Sequence, residues 1–423
     1  MINVTKLYCE ESTPGDSIRY GRFTDVEDSN VSMHSIPHSA DTRKPVVVWN
    51  ITRTCNLHCI HCYSSSDNLS YSGEFSTDEV KHVLKDLKEF GIPALLFSGG
   101  EPLVRKDIFE LADFAKSLGI RTTLSTNGTL ITPAVAKKIK NSGFIYAGIS
   151  LDGIGSVNDF FRGKRGAFKK TVSGIRNCID AGQRAGLRLT LTKHNYECLE
   201  DIFDFIEREG LERACFYHLA YSGRGNRIST DDLTHRETRD AVLKIMKIAR
   251  NFSENKKGIE VLTVDNHVDG ILIYLSLLKE NKQNQAQDVL DMLKWNGGGL
   301  YSSGVGVADI DFTGNVHADQ FWMHYSFGNV RERKFSDIWM DETDQLMHYL
   351  KHKKKYIKGK CKHCKWLNQC GGSLRVRADM VYNDPMAPDP ACYPTDIECG
   401  ISPRLRKKID GKSLFLIPEG LTT

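Results

Sequence analysis

Residues 45–63 read PVVVWNITRTCNLHCIHCY. The run Val46–Ile51 is apolar and β-branched, which predicts a short strand buried on both faces. Cys55, Cys59 and Cys62 follow at once, on the loop that leaves this strand. Working outward, helices and strands alternate. Helical spacing of apolar residues runs through Ser76–Phe90, with Ser76 or Thr77 as N-cap and Asp78 and Glu79 in the first turn. Extended runs are predicted at 94–97, 122–125, 145–150, 187–191 and 214–219. Helices are predicted at 107–118, 133–142, 167–181 and 199–209, with a further one from Arg236. Such alternation implies parallel strands joined by helical crossovers. Six strand–helix units are fewer than the eight of a closed barrel. The predicted fold class is therefore α/β, a partial (β/α)6 TIM-like barrel with a small C-terminal domain.

The predicted layout is an irregular N-terminal extension over 1–43, the barrel over 44–250 and a helical linker over 251–304. A Cys-, Gly- and Pro-rich domain over 305–400 and a basic tail over 401–423 follow. A strand–turn–strand signal surrounds Thr313–Gly314–Asn315. The 423 residues carry 57 basic and 53 acidic side chains, a balance that argues against a nucleic-acid partner. No run of eighteen apolar residues suggests a membrane span, and MINVTKLYCEE shows no apolar signal-peptide core. A cytoplasmic location is expected, where clustered cysteines among the twelve are ligands rather than disulfides.

Three cysteines on one loop can hold three irons of a 4Fe–4S cluster and leave the fourth iron open. The bland alternative is zinc, with His58 or His61 as fourth ligand. The loop stands past the C-terminal end of a barrel strand, where such folds place active sites. CNLHCIHCY resembles the CxxxCxxC signature of radical S-adenosylmethionine (SAM) enzymes. Ser98–Gly99–Gly100–Glu101–Pro102 resembles the GGEP motif of the same superfamily. Ser125–Thr126–Asn127–Gly128 and Ser150–Leu151–Asp152–Gly153 resemble its later elements, in order, over about 45–225.

The resemblance implies SAM chelated to the open iron and cleaved to a 5′-deoxyadenosyl radical. It implies that Gly99 and Gly100 admit the methionine moiety close to backbone and that Glu101 lies near its ammonium. Ser125, Asn127 and Ser150 would bond ribose hydroxyls or the carboxylate, Arg162 would pair with that carboxylate, and Tyr63 would lie against the adenine. Taken without the resemblance, Gly99–Gly100 and Asn127–Gly128 read as plain turns and Arg162 as an ion pair.

Cys361, Cys364 and Cys370 stand in CKHCKWLNQCGG, and Cys392 and Cys399 follow. On spacing alone a zinc ribbon is open. The segment resembles the SPASM and twitch auxiliary domains of radical SAM enzymes, which hold additional 4Fe–4S clusters. With no cysteine between Cys215 and Cys361, one auxiliary cluster is expected. Its ligands would be Cys361, Cys364, Cys370 and Cys392, with Cys399 as an alternative.

A narrower resemblance, over about 45–400, is to tetrapyrrole-modifying radical SAM enzymes. It is carried by residues 45–63, by YSGRGNR, and by GNVHADQFWMHYSFGNVRERKFSDIW. The opening INVTKLYCEE…GDSIRYGR is similar to the branch that removes two acetate side chains from 12,18-didecarboxysiroheme. The implied partners are an iron tetrapyrrole substrate and a low-potential donor such as ferredoxin or flavodoxin. His317 and His324 would be axial ligands or proton donors, or else structural; Arg224 and Arg227 would hold propionates, SAM or an ion pair. The competing readings are the haem d1 branch, which installs oxo groups in place of propionates, and a radical SAM peptide maturase.

Overall fold

The computed structural model describes residues 1–21 and 42–410. Ten strands build one sheet: β1 Ile2–Asn3, β2 Val46–Asn50, β3 Leu95–Ser98, β4 Thr122–Thr126, β5 Ala147–Ser150, β6 Ala185–Leu191, β7 Arg213–His218, β8 Glu260–Val264, β9 Val307–Ile310 and β10 Val316–His317. Their spatial order is β1-β8-β7-β6-β5-β4-β3-β2-β9-β10. Neighbours from β8 through to β9 are parallel, and β1 and β10 close the ends as antiparallel strands.

The helices between these strands form where the sequence predicts them. Thr77–Phe90 begins with a full capping box between Ser76 and Glu79 and ends at Gly91 in the left-handed region. Pro133–Asn141 starts with Thr132 as cap and proline in its first turn. Side-chain alternation along the strands divides the sheet into two faces. Trp49, Phe97, Leu124, Ile149, Leu189 and Phe216 point into the apolar layer beneath the helices. Val48, Leu96, Ser125, Arg188 and Tyr217, on the opposite face, line a cavity. One face thus supplies the core and the other a polar lumen.

Three expectations are corrected. Residues 1–43 are not simply an irregular lead-in: β1 pairs with β8, with Ile2 opposite Thr263, and helix Val4–Cys9 buries Val4 and Leu7 completely. Residues 22–41 of that extension lie outside the described residues. The 251–304 stretch is not purely helical, because β8 adds a seventh parallel strand after the predicted six. Nor is the C-terminal segment separate from the sheet, since β9 pairs with β2 at Val47↔Ala308. The expected hairpin is β9–β10, turning at Gly314, whose φ is +98°. Of the expected tail, helix Pro403–Asp410 is described and 411–423 are not. Among the described residues no helix is long and apolar enough to cross a membrane.

Candidate active site

The loop after β2 is held by backbone. Cys55 N donates to Asp67 O at 2.9 Å, Ile60 N to Phe161 O at 2.9 Å and His58 N to Arg162 O at 3.2 Å. Arg224 clamps the loop from the far side, with Nε on Cys59 O at 2.7 Å and Nη2 on Ser66 O at 2.8 Å. Its donors face the loop's own carbonyls, and Nη1 lies 3.4 Å from Asp67 Oδ1, in line with the ion-pair alternative among the three the sequence left open. Cys55, Cys59 and Cys62 all line a cavity of about 210 Å³ at the C-terminal ends of the parallel strands.

Gly99 and Gly100 run alongside the loop. Gly100 N donates to Thr52 O at 2.7 Å, and Glu101 N to Thr54 O at 2.9 Å. A Cβ on Gly100 would stand 2.3 Å from Thr54 O, and one on Gly99 2.3 Å from Thr52 O. Gly99 also has φ +138°, a conformation open essentially to glycine alone. Both glycines therefore serve the approach of two backbones, and both line the cavity.

Glu101 is held by groups of the protein itself. Its carboxylate is fully buried and accepts from Thr126 Oγ1 at 2.7 Å, Asn127 N at 2.7 Å and Leu103 N at 3.1 Å. It is absent from the cavity lining and instead fixes the loop that carries Asn127. Burial pushes its acid up to about 7, against those hydrogen bonds. Asn127 reaches Asn56 Oδ1 at 2.9 Å and lies 3.9 Å from Cys55 Sγ, so it faces the cysteine loop.

Arg162 lines the cavity, but its charge is matched. Nη2 pairs with Asp152, and Nη1 lies 3.6 Å from Cys59 Sγ. His61 Nε2 stands 3.3 Å from the same Asp152 carboxylate. Burial pushes the Cys59 thiol up, and the Arg162 guanidinium offsets only part of that rise. The cation over Ser125 is Arg188, whose Nη1 donates to Ser125 Oγ at 2.9 Å. Ser150 lines the cavity beside it. Tyr63 donates to Asn50 Oδ1 at 2.9 Å and sets its ring edge-on to Phe321, with centroids 5.5 Å apart.

His317 and His324 do not enter this cavity. His317 is buried, with Nδ1 on Tyr325 O at 2.7 Å and Nε2 3.5 Å from Asp311, so both nitrogens have structural neighbours. His324 stacks on Trp322 and meets Asp379 at 2.8 Å, on the rim of two outer cavities. Neither histidine is among the residues that line the lumen.

Sequence reasoning missed Arg188, Gln320 and Asp265, which line the same cavity. Arg188 Nε, Gln320 Oε1 and Asp265 Oδ2 are buried without a hydrogen-bond partner. Asp265 also holds φ +67°, unusual for a residue other than glycine, and burial lifts its acid to about 6. The available signal was Arg188 itself, a cation at the alternate position of an otherwise apolar strand.

The second set of cysteines gathers five sulfurs. Cys361, Cys370 and Cys392 influence one another, and Cys399 contacts both Cys364 and Cys392. Lys360 lies beside Cys392, and its Nζ donates to Pro394 O at 2.8 Å. Buried Arg377 forks onto Asp389 at 2.9 and 2.8 Å and reaches Leu219 O and Asp265 O at the ends of β7 and β8. It thereby ties the cysteine domain to the barrel mouth.

The sulfurs of both cysteine sets stand wider apart than a tetrahedral zinc site would hold them. Zinc–sulfur bonds of about 2.3 Å place the thiolates of a tetrahedral site about 3.8 Å apart. No three of these sulfurs lie within 4.8 Å of one another. The orphaned polar atoms and the two glycines lining the first cavity suit a charged, hydroxyl-bearing ligand such as SAM.

Residues 49–206 match the radical SAM superfamily, and residues 304–365 match SPASM, an iron–sulfur cluster-binding domain. The chain is 49% identical over 403 residues to Fe-coproporphyrin III synthase of Methanosarcina barkeri, covering 95% of this chain and 99% of the relative. It is 39% identical to pre-heme d1 synthase of Dinoroseobacter shibae, over 85% and 88%. Among solved structures, Streptococcus suis SuiB bound to S-adenosylmethionine superposes with a TM-score of 0.65 at 18% identity, over 83% and 77%, which shows the shared fold. The fold and the three-cysteine cavity define a radical SAM enzyme. The chain belongs to the SPASM-bearing radical SAM family that includes these two relatives, and its cofactors are 4Fe–4S clusters and SAM.

Proposed function

We propose that this protein removes the two acetate side chains of 12,18-didecarboxysiroheme to give Fe-coproporphyrin III. The observation that carries this reading is the 49% identity to Fe-coproporphyrin III synthase along nearly the full length of both chains. Cys55, Cys59 and Cys62 would hold the first cluster, and the cysteines between 361 and 399 the auxiliary one. The cavity lined by Cys55, Cys59 and Cys62 would hold the cluster and SAM, whose chemistry would be the supply of a radical for hydrogen abstraction. Arg188 and Ser125 present a paired cation and hydroxyl to a carboxylate, and Asn127 and Ser150 offer further hydrogen bonds. Gly99 and Gly100 keep that wall thin, while Tyr63 and Phe321 give it an aromatic side. A ferredoxin or flavodoxin is the proposed electron donor, and the cytoplasm the proposed location.

The test is anaerobic reconstitution followed by incubation with SAM, dithionite and 12,18-didecarboxysiroheme. Two 4Fe–4S clusters predict roughly eight irons per chain. Mass spectrometry should show 5′-deoxyadenosine and a tetrapyrrole lighter by two acetate groups. An oxo-bearing product would move the chain to the reaction of haem d1 synthesis. Zinc in place of iron, with SAM uncleaved, would overturn the proposal altogether.

A further inference from the structure

We infer that the C-terminal region carries a third metal site, separate from both cysteine sets, in which Glu342, His348 and His352 bind a single divalent ion of the zinc type. His348 and His352 are four residues apart at the end of helix Gln345–Lys351, with His352 as its C-cap. That spacing places two side chains on one helical face. Glu342 comes from the loop before the helix. Its Oε2 stands 3.1 Å from His348 Nδ1 and 2.8 Å from His352 Nε2. All three donor atoms lie within 4.8 Å of one another, the one such group of three or more His, Cys, Asp or Glu side chains among the described residues.

Zinc bonds to nitrogen and oxygen of about 2.0–2.1 Å put neighbouring donors about 3.0–3.4 Å apart, depending on coordination number. The two Glu342 separations fall at or just below that range, so little movement is needed to admit the ion. The surroundings also favour a metal. His348 Nε2 lies 3.0 Å from Tyr356 Oη. A proton on Nε2 would leave Nδ1 with its lone pair facing Glu342, the arrangement in which an imidazole binds metal and is oriented through its other nitrogen. Tyr356 is fixed against Tyr349, with ring centroids 4.4 Å apart. Lys351 Nζ stands 3.8 Å from the other carboxylate oxygen, Oε1, and so engages the side of Glu342 away from the imidazoles.

The donors are 31–40% exposed, so an ion has access from solvent and water can complete its shell. Two imidazoles and one carboxylate, without thiolate, select a borderline divalent cation over calcium or magnesium. The ion would clip the loop before the helix to the helix's last turn. The same helix buries Met347 and Leu350 on its inner side and presents Leu346 and Tyr349 to a cavity of about 420 Å³ shared with Trp322 and Met386. Its occupancy would therefore stiffen one wall of that cavity.

The test uses the holoenzyme with its clusters assembled, so that the cysteines are occupied, after a chelator wash. Zinc alone is titrated by calorimetry and by competition with a chromophoric chelator. One ion per chain should bind with a Kd of about 1 μM or tighter, and the thermal midpoint should rise with zinc. His352→Ala and Glu342→Gln should each weaken binding at least about tenfold and remove the thermal shift, with iron content unchanged. Glu342→Gln keeps the side-chain shape, so it remains informative should a histidine variant fold poorly. A Kd weaker than about 100 μM in the parent would overturn the site. So would full zinc binding in both variants.

Discussion

Arg377→Leu probes how the cysteine domain is held on the barrel. Arg377 and Asp389 are 0% and 1% exposed and share two hydrogen bonds. Asp389 also accepts from Leu374 N at 2.9 Å and Ala391 N at 3.0 Å, next to Cys392. Burial works against its charge, yet Arg377 holds the carboxyl below the usual carboxylate range. Removing the arginine leaves that charge buried alone and strips a donor from Leu219 O and Asp265 O. Breaking a buried pair from one side costs about 3–5 kcal/mol. The loss should fall first on the auxiliary cluster, because Asp389 orders the turn that delivers Cys392. Iron should drop from roughly eight to roughly four per chain, since one of two 4Fe–4S clusters is lost, and the thermal midpoint should fall. The Arg377→Leu/Asp389→Leu double variant should recover part of the stability, because no unpaired charge remains inside. Full iron content in Arg377→Leu with an unshifted midpoint would refute the reasoning, as would a double variant less stable than the single one.

Gly100→Ala drives a Cβ against the Thr54 and Arg53 carbonyls, 2.3 and 2.6 Å away, on the backbone leading to Cys55. It should abolish SAM cleavage and the first cluster while sparing the auxiliary one, as read by iron count and 5′-deoxyadenosine. Cys392→Ser should remove the auxiliary cluster and Cys399→Ser should keep it; the reverse pattern would make Cys399 the fourth ligand. His317→Asn tests a pH-dependent contact. Burial opposes the charge on His317, but Asp311 and its other partners raise its pKa above 6.5, so its stabilisation is present below 6.5 and is lost as pH rises through the folded value. Asp311, buried but held down to about 2 chiefly by His317 and Thr313, contributes above 3.8 and loses its effect as pH falls towards 2. The difference in thermal midpoint between parent and His317→Asn should therefore be larger at pH 6 than at pH 9. An equal difference at both would rule the ion pair out.

Much of the barrel was legible because its determinants are local. Ser76 and Glu79 cap a helix through their own backbone, and Val46–Asn50 is apolar enough to be a buried strand in any context. Strand β8 was hidden for the opposite reason. Five buried residues with no alternation do not declare themselves, and their partners, Arg213–Tyr217 and Ile2–Asn3, lie far away along the chain.

The sequence by itself determined the two cysteine sets, the glycine pair beside the first and the class of chemistry they serve. Metal ligation at one loop depends on spacing along the chain, which can be counted. Only the tertiary structure decided which polar groups face the lumen. Glu101 follows the end of β3 and Arg188 sits in the middle of β6, yet one is sealed behind hydrogen-bond donors and the other stands over Ser125. His317 turned inward to Asp311, and Arg224 to the cysteine loop's carbonyls. The fate of a charge inside a protein depends on the partners that packing brings to it, and those come from elements far apart in the chain.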